Sequence, residues 1–394
     1  MFRVLFTWGN MEISRLFKRK HLLSLVVFVL IISIIGTVLF AYGFFVFQRT
    51  SDLPQSNGPY DHIDNVPAVI IAQDLQIPWS LDILPDGSLI LTERPGRVRL
   101  IDRDEGLLNE PLAIITEVSH TGEGGLLGVA VHPDFEDNHL IYLYYTYRDG
   151  ERLYNRVVSY TMENRELVQT SIIIDHIPGA GIHNGGRIGF GPDGMLYICT
   201  GDASEPDLSQ DITSLAGKIL RITDTGSVPE DNPVQGSFVY SLGHRNPQGL
   251  AWDEQDRLWA TEHGPIARDE LNIIYPGKNY GWPVIVGADT AEGMESPFLH
   301  SSLQTWAPSG AAYMDGSVFF AGLRGQSLYE AVLIQEDRTL SVELKQHFKG
   351  DLGRLRDVVA GTDGNIYVLT SNRDGRGVAI DGDDRVIRIN TSML

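Results

Sequence analysis

The chain has 394 residues, with 51 acidic against 31 basic side chains and a formal net charge of −20. That is enough for one large domain or two ordinary ones, and the acidic balance excludes a nucleic-acid partner, which needs a basic face. Cys199 is the single cysteine, so no intrachain disulfide can form; its apolar surroundings predict a buried, inert thiol.

The N-terminus has its own composition. Leu22–Phe47 carries no charged side chain and is long enough to span a bilayer, and Arg15, Lys18, Arg19, Lys20 and His21 precede it. The positive-inside rule then predicts a basic cytoplasmic segment over 1–21 and a transmembrane helix over 22–47. The apolar run exceeds that of a secretory signal and no small-x-small cleavage site follows it, so an uncleaved anchor is expected. Residues 48–64, rich in Ser, Pro, Asp and Gly from Ser51 to Asp64, read as a linker. The remainder, 65–394, is expected outside the cytoplasm, on the periplasmic or extracellular side.

From residue 65 onward no helical period of useful length occurs. Instead, a strand, an Asp-Gly-type turn and a second strand recur. The copies are Trp79–Thr92, Gly128–Phe135 leading into Leu140–Tyr145, Arg187–Thr200, Gly249–Thr261, Gly310–Ala321 and Asp357–Thr370. Their turn aspartates, Asp86, Asp134, Asp193, Asp256, Asp315 and Asp363, are spaced by roughly the length of a propeller blade. Third strands follow in places, as at Gly96–Ile101 and Gly217–Ile222. Val66–Ala72 precedes the first copy and is placed to complete the last sheet. The predicted fold is therefore all-β, a six-bladed β-propeller over 65–394 preceded by one transmembrane helix.

Loops of successive blades converge at the mouth of a propeller's channel, so chemistry-bearing loops far apart in sequence meet there. Four groups qualify. His183 lies in a glycine-rich turn, and Arg245 and Asn246 lie in Gly243–Gly249. Glu262–Asn272, continuing through Gly277–Pro283, brings Glu262, Asp269, Glu270 and several carbonyls, a donor set suited to a hard cation such as Ca²⁺ or simply to a solvated acidic loop. Arg324, Arg354 and Arg356 are late cations. Arg354 and Arg356 alternate along one strand and project to one side, where two guanidiniums repel unless an anion lies between them; the pair reads equally as solvated arginines or as partners for local Asp residues. Zinc spacings, EF-hands, phosphate loops and nucleophile elbows are all missing.

These motifs in this order, HNGGRIGF from His183, GHRNPQG from Gly243, DELNIIYPGKNYGWP from Asp269 and GRLRD from Gly353, resemble the soluble glucose/sorbosone (aldose sugar) dehydrogenases that use pyrroloquinoline quinone (PQQ). The likeness runs from about Pro78 to the C-terminus. It implies PQQ and Ca²⁺ as cofactors and oxidation of aldose sugars to lactones, with electrons passed to an external quinone or cytochrome. By the same resemblance His183 is the general base that takes the C1 hydroxyl proton as hydride leaves for the quinone. Arg245 and Asn246 contact the reactive quinone edge. Gly264 and Pro265 give carbonyls to the Ca²⁺ that polarises the cofactor, and Glu270 and Tyr280 match a second, structural Ca²⁺ site. Arg324, Arg354 and Arg356 match cations that hold the cofactor carboxylates. Two positions depart from the family: Glu123 stands where many members have Gln, placing a carboxylate beside an anionic cofactor, and Arg324 stands where some have Lys. Two other readings are a Ca²⁺-dependent propeller lactonase, which has no use for converging arginines, and a binding propeller that has lost its cofactor.

Overall fold

Six antiparallel sheets succeed one another along the chain, each one blade of a closed ring. Blade 1 is built from Pro78–Ile83, Leu89–Glu93 and Arg97–Asp102 with two short outer strands, and blade 2 from Leu126–Val131, Leu140–Asp149, Arg152–Glu163 and Glu166–Gly179. Blade 3 comprises Ile188–Phe190, Leu196–Thr200, Lys218–Ile222 and Val239–Leu242. Pro247–Trp252, Leu258–Glu262, Glu270–Ile274 and Leu299–His300 make blade 4; Pro308–Met314, Ser317–Gly322, Ser327–Glu336 and Thr339–His347 make blade 5. Leu355–Ala360, Asn365–Thr370 and Val386–Asn390 form blade 6, whose outermost strand is Ala68–Ala72 from the start of the domain. That strand pairs antiparallel with Val386–Asn390, Ala68 opposite Ile389, and closes the ring as the sequence predicts. The computed structural model describes residues 53–56 and 66–394, with Ser33 besides. The basic segment and, apart from Ser33, the expected span Leu22–Phe47 lie outside the described residues. Among the described residues no helix is long and apolar enough to cross a membrane.

Strands such as Leu89–Glu93, Leu196–Thr200 and Leu258–Glu262 are buried at every position. Both faces of each blade are covered by its neighbours, so the strands read as continuous apolar runs and not as alternations. The core accordingly divides into six clusters, one at each blade interface. Leu143 and Tyr145 of blade 2 pack with Val98 and Leu100 of blade 1, for example, and Tyr367 and Leu369 of blade 6 pack with Leu89 and Leu91 of blade 1. Each fully buried Leu or Ile contributes roughly 1.5–3 kcal/mol.

The first strands of the blades pack together around the centre of the ring. Arg187, just ahead of blade 3, acts as a pin there. Its Nη1 donates to Asp357 Oδ2 of the opposite blade 6 at 2.7 Å and to Ser80 Oγ of blade 1 at 2.7 Å, while its Nε donates to the Gln248 carbonyl of blade 4 at 3.0 Å. One guanidinium thus ties four blades. Two sequence expectations shift locally. The third copy's first strand begins at Ile188, although the Arg187 carbonyl still accepts the Cys199 N–H, and the Asp134 turn opens a single helical turn, Phe135–Asn138.

Candidate active site

Most residues at the site come from segments that enter first strands (Gly122–Gly125, Ile182–Arg187, Gly243–Asn246, Gly353–Arg354) or leave second strands (Arg94, Asp202, His263–Pro265, Leu323–Arg324, Asp374–Arg376), with Arg356 on the first strand of blade 6 itself. In antiparallel blades both kinds of segment emerge at the same end of the ring. There they line two joined cavities. The inner, of about 210 Å³, is walled by Trp79, Arg94, Gln248, Arg356 and Asp374. The outer, of about 440 Å³, is walled by His183, Arg245, Asn246, Gly264, Pro265 and Arg324. Glu123, His263, Arg354 and Arg376 border both.

His183 is held from three sides. Its backbone has φ +60°, uncommon for a residue with a side chain. Its Nδ1 lies 2.7 Å from Asp202 Oδ1. Asp202 also accepts the Ser204 N–H at 2.8 Å and the Trp282 indole N–H at 2.9 Å, so its carboxylate is fixed. With the Nδ1 proton directed at a carboxylate, Nε2 carries the lone pair and is the basic nitrogen. The neighbouring loop is stapled to this turn: Asn246 Oδ1 accepts the Gly185 N–H at 2.9 Å, and the Arg245 carbonyl accepts the Asp202 N–H at 2.8 Å. A side chain at Gly185 would put its Cβ 2.3 Å from the Cys199 carbonyl, so glycine is required where the turn crosses that strand. Cys199 itself is buried, and desolvation pushes its thiol far up.

Of the two readings of the arginine pair, the local aspartate partner is present. The anion between Arg354 and Arg356 is supplied by the protein itself. Asp374, almost fully buried, accepts from Arg354 Nη2 at 2.7 Å and Nε at 3.1 Å and lies 3.8 Å from Arg356 Nη2. Burial alone would raise its carboxyl, but Arg354 and Arg356 hold it below the ordinary carboxylate range. Arg356 keeps one bond, to Gln248 Oε1 at 3.0 Å, and its Nε is buried without a partner. Desolvation pushes Arg356 down to about 9. Arg245 Nε and His263 Nε2 are likewise buried without partners. Arg324 stands exposed at the outer cavity. Glu123, the departure from the family, is not a bare charge: its Oε1 pairs with Arg376 Nη1 at 2.7 Å and its Oε2 accepts the His183 N–H at 3.1 Å.

Of the acidic loop, Gly264 and Pro265 reach the outer cavity, but the nearby carboxylates are engaged within the protein. Asp269 accepts from the backbone N–H groups of Gly264, Trp306 and Ala307, and Glu262 from His244 Nδ1 and the Arg245 N–H. Glu270 accepts the Gly287 N–H and an Asn272 amide N–H, while burial and the neighbouring Glu262 push it up to about 8. Tyr280 is stacked on His244, and its hydroxyl donates to the Ile273 carbonyl at 2.6 Å. Among the described residues no three His, Cys, Asp or Glu side chains gather as a metal cluster.

The sequence reading passed over Arg94, Asp202, His263, Asp374 and Arg376. Asp202 lies just beyond the copy Arg187–Thr200 that follows His183 and could have been found as the partner a loop histidine needs. Asp374 and Arg376 lie in a polar loop without periodicity, where nothing in the sequence signals them.

A family model described as Glucose / Sorbosone dehydrogenase matches residues 75–380. The chain belongs to the glucose/sorbosone dehydrogenase family of oxidoreductases. The solved PQQ-bound form of an aldose sugar dehydrogenase from Streptomyces coelicolor is 41% identical with a TM-score of 0.77, covering 82% of this chain and 96% of that one. The aldose sugar dehydrogenase of Escherichia coli (strain K12) is 31% identical over 78% of this chain and 90% of its own length. Quinoprotein glucose dehydrogenase B of Acinetobacter calcoaceticus is 32% identical over 57% of this chain and 54% of its own.

Proposed function

We propose that the protein is a quinoprotein that oxidises aldose sugars at the C1 hydroxyl to the corresponding lactones and passes the electrons to an external quinone or cytochrome. The observation that carries this is the charge of the two cavities. Six arginines and three carboxylates line them, a positive surplus in a chain of net charge −20. PQQ, a planar tricarboxylate, fits that lining: the unpartnered Arg356 and Arg245 Nε atoms and the desolvated Arg356 guanidinium are groups an anion would satisfy. Arg94, Arg356, Arg376 and, beside Asp374, Arg354 would hold it. The Gly264 and Pro265 carbonyls would hold Ca²⁺, and Glu270 with the buried, unpartnered Asn272 Oδ1 fits a second cation. Bound there, the quinone supplies a two-electron oxidant and the cation polarises it.

The chain's own part is binding and proton transfer. His183 Nε2 takes the proton from the sugar hydroxyl, and Asp202 stabilises the imidazolium that results. Arg245 faces the same cavity and offers positive charge where an oxygen gains electron density. The lactonase reading leaves the arginines without a role, and a binding propeller leaves the His183–Asp202 pair without one. The basic-then-apolar N-terminus supports an anchored protein with this domain outside the cytoplasm. The test is titration of the purified protein with PQQ and Ca²⁺ followed by aldoses. Saturable binding and loss of the oxidised-quinone absorbance on adding sugar are expected; failure to bind PQQ would overturn the reading.

A further inference from the structure

Glu123 joins the His183 turn to the loop that follows the second strand of blade 6. On one side it is locked to the His183 turn by a two-bond ladder: its N–H donates to the Gly181 carbonyl at 2.8 Å, and its Oε2 accepts the His183 N–H at 3.1 Å. That approach is close enough that a Cβ on Gly122 would lie 2.0 Å from the Gly181 carbonyl. On the other side its Oε1 meets Arg376 of the blade 6 loop at 2.7 Å. The same loop carries Asp374, whose Oδ1 accepts the Arg376 and Gly377 N–H groups at 2.8 and 3.1 Å and whose Oδ2 holds Arg354. Glu123 and Arg376 both border the inner and outer cavities, so their ion pair stands at the junction between them.

We propose that Glu123 is a positioning residue with two separable tasks: its Oε2 sets the backbone of the base His183, and its pairing with Arg376 fastens the segment Arg373–Gly377 across the junction of the two cavities. The reasoning is geometric. His183 sits at a φ that its side chain disfavours, so an acceptor for its N–H is needed to hold it there. Arg376 is largely exposed, and its ion pair with Glu123 ties its guanidinium to the loop that enters blade 2. A glutamine at 123 could still accept the His183 N–H but could not neutralise Arg376; the two tasks therefore respond differently to Glu123→Gln. The first task deepens the dehydrogenase reading and rests on it, whereas the second does not.

The test uses the full chain with Glu123→Gln, Glu123→Ala and Arg376→Met. Hydrogen exchange of the 373–377 amides in the cofactor-free protein reads the fastening. It should quicken by up to about fivefold, the factor an ion pair this exposed can supply, in all three variants. Turnover of the PQQ-loaded enzyme reads the setting of His183: Glu123→Ala should lose about ten- to a hundredfold in kcat, and Glu123→Gln should restore most of it. Crystal structures of the cofactor-free variants give a readout independent of turnover, with His183 leaving positive φ in Glu123→Ala and keeping it in Glu123→Gln. Unchanged exchange in Arg376→Met would overturn the fastening. A His183 that stays in place in Glu123→Ala, or a Glu123→Gln variant as slow as Glu123→Ala, would overturn the positioning. Absence of turnover in the wild type would count against the dehydrogenase reading, and the exchange and φ readouts would still decide the proposal.

Discussion

Replacing Asp374 by Asn tests whether the protein supplies its own anion to the arginine pair. The variant keeps the size of the side chain and the oxygen that caps the turn at Arg376 and Gly377; it removes the charge and turns an amide NH2 toward Arg354 in place of the accepting oxygen. Two unit charges about 3 Å apart in an effective dielectric of about 20 attract by roughly 5 kcal/mol. Desolvation offsets part of that attraction, but deleting one partner leaves the others buried and unpaired, at a cost of about 3–5 kcal/mol. The ring has about 330 residues and a melting entropy of about 2.1 cal/mol/K per residue, so the cofactor-free Tm should fall by about 4–7 °C. Thermal melts with and without PQQ provide the assay. PQQ should narrow the difference between variant and wild type, because a ligand carboxylate can supply the negative charge that the variant lacks. The pH dependence carries a sign. A carboxyl held below its ordinary value stabilises the fold above about pH 4 and loses that contribution as pH falls through the depressed value. The gap between wild type and Asp374→Asn should therefore be full at neutral pH and close in acid. Equal melting temperatures at pH 7 would refute the reasoning.

The remaining predictions concern the base, the turn and the thiol. His183→Ala should bind PQQ nearly as the wild type does while turnover drops by about 10²–10⁴, checked by titration and steady-state kinetics on one preparation. Asp202→Asn should lose a comparable factor with little change in KM, because an amide donor facing Nδ1 favours the tautomer with the proton on Nε2; an unchanged kcat would remove Asp202 from the mechanism. Gly185→Ala should destabilise the fold and release Asn246 from its bond to the Gly185 N–H, read as a lower Tm together with weaker cofactor binding. Native protein should leave Cys199 untouched by a thiol reagent over hours, with one equivalent reacting after denaturation.

The recurring strand and Asp-Gly turn, the blade-length spacing and the terminal strand that closes the ring are all local or periodic signals, and each could be read before any contact was known. So could His183, Arg245 and the pair Arg354 and Arg356, because turns and first strands of a propeller place their residues at a shared mouth. Partnership was another matter. Arg187 meets Asp357 across the ring, 170 positions further along the chain, and that pairing arises only once six blades close. The sequence indicated that Arg354 and Arg356 need an anion; only the folded loop showed that Asp374 already provides one. Glu123 looked like a charge misplaced beside an anionic cofactor until Arg376 was seen against it. Periodicity and turn chemistry depend on neighbours in sequence, so the chain alone determines them. Which charges neutralise one another depends on distances set by ring closure and by loops without a repeat, and those only the tertiary structure decides.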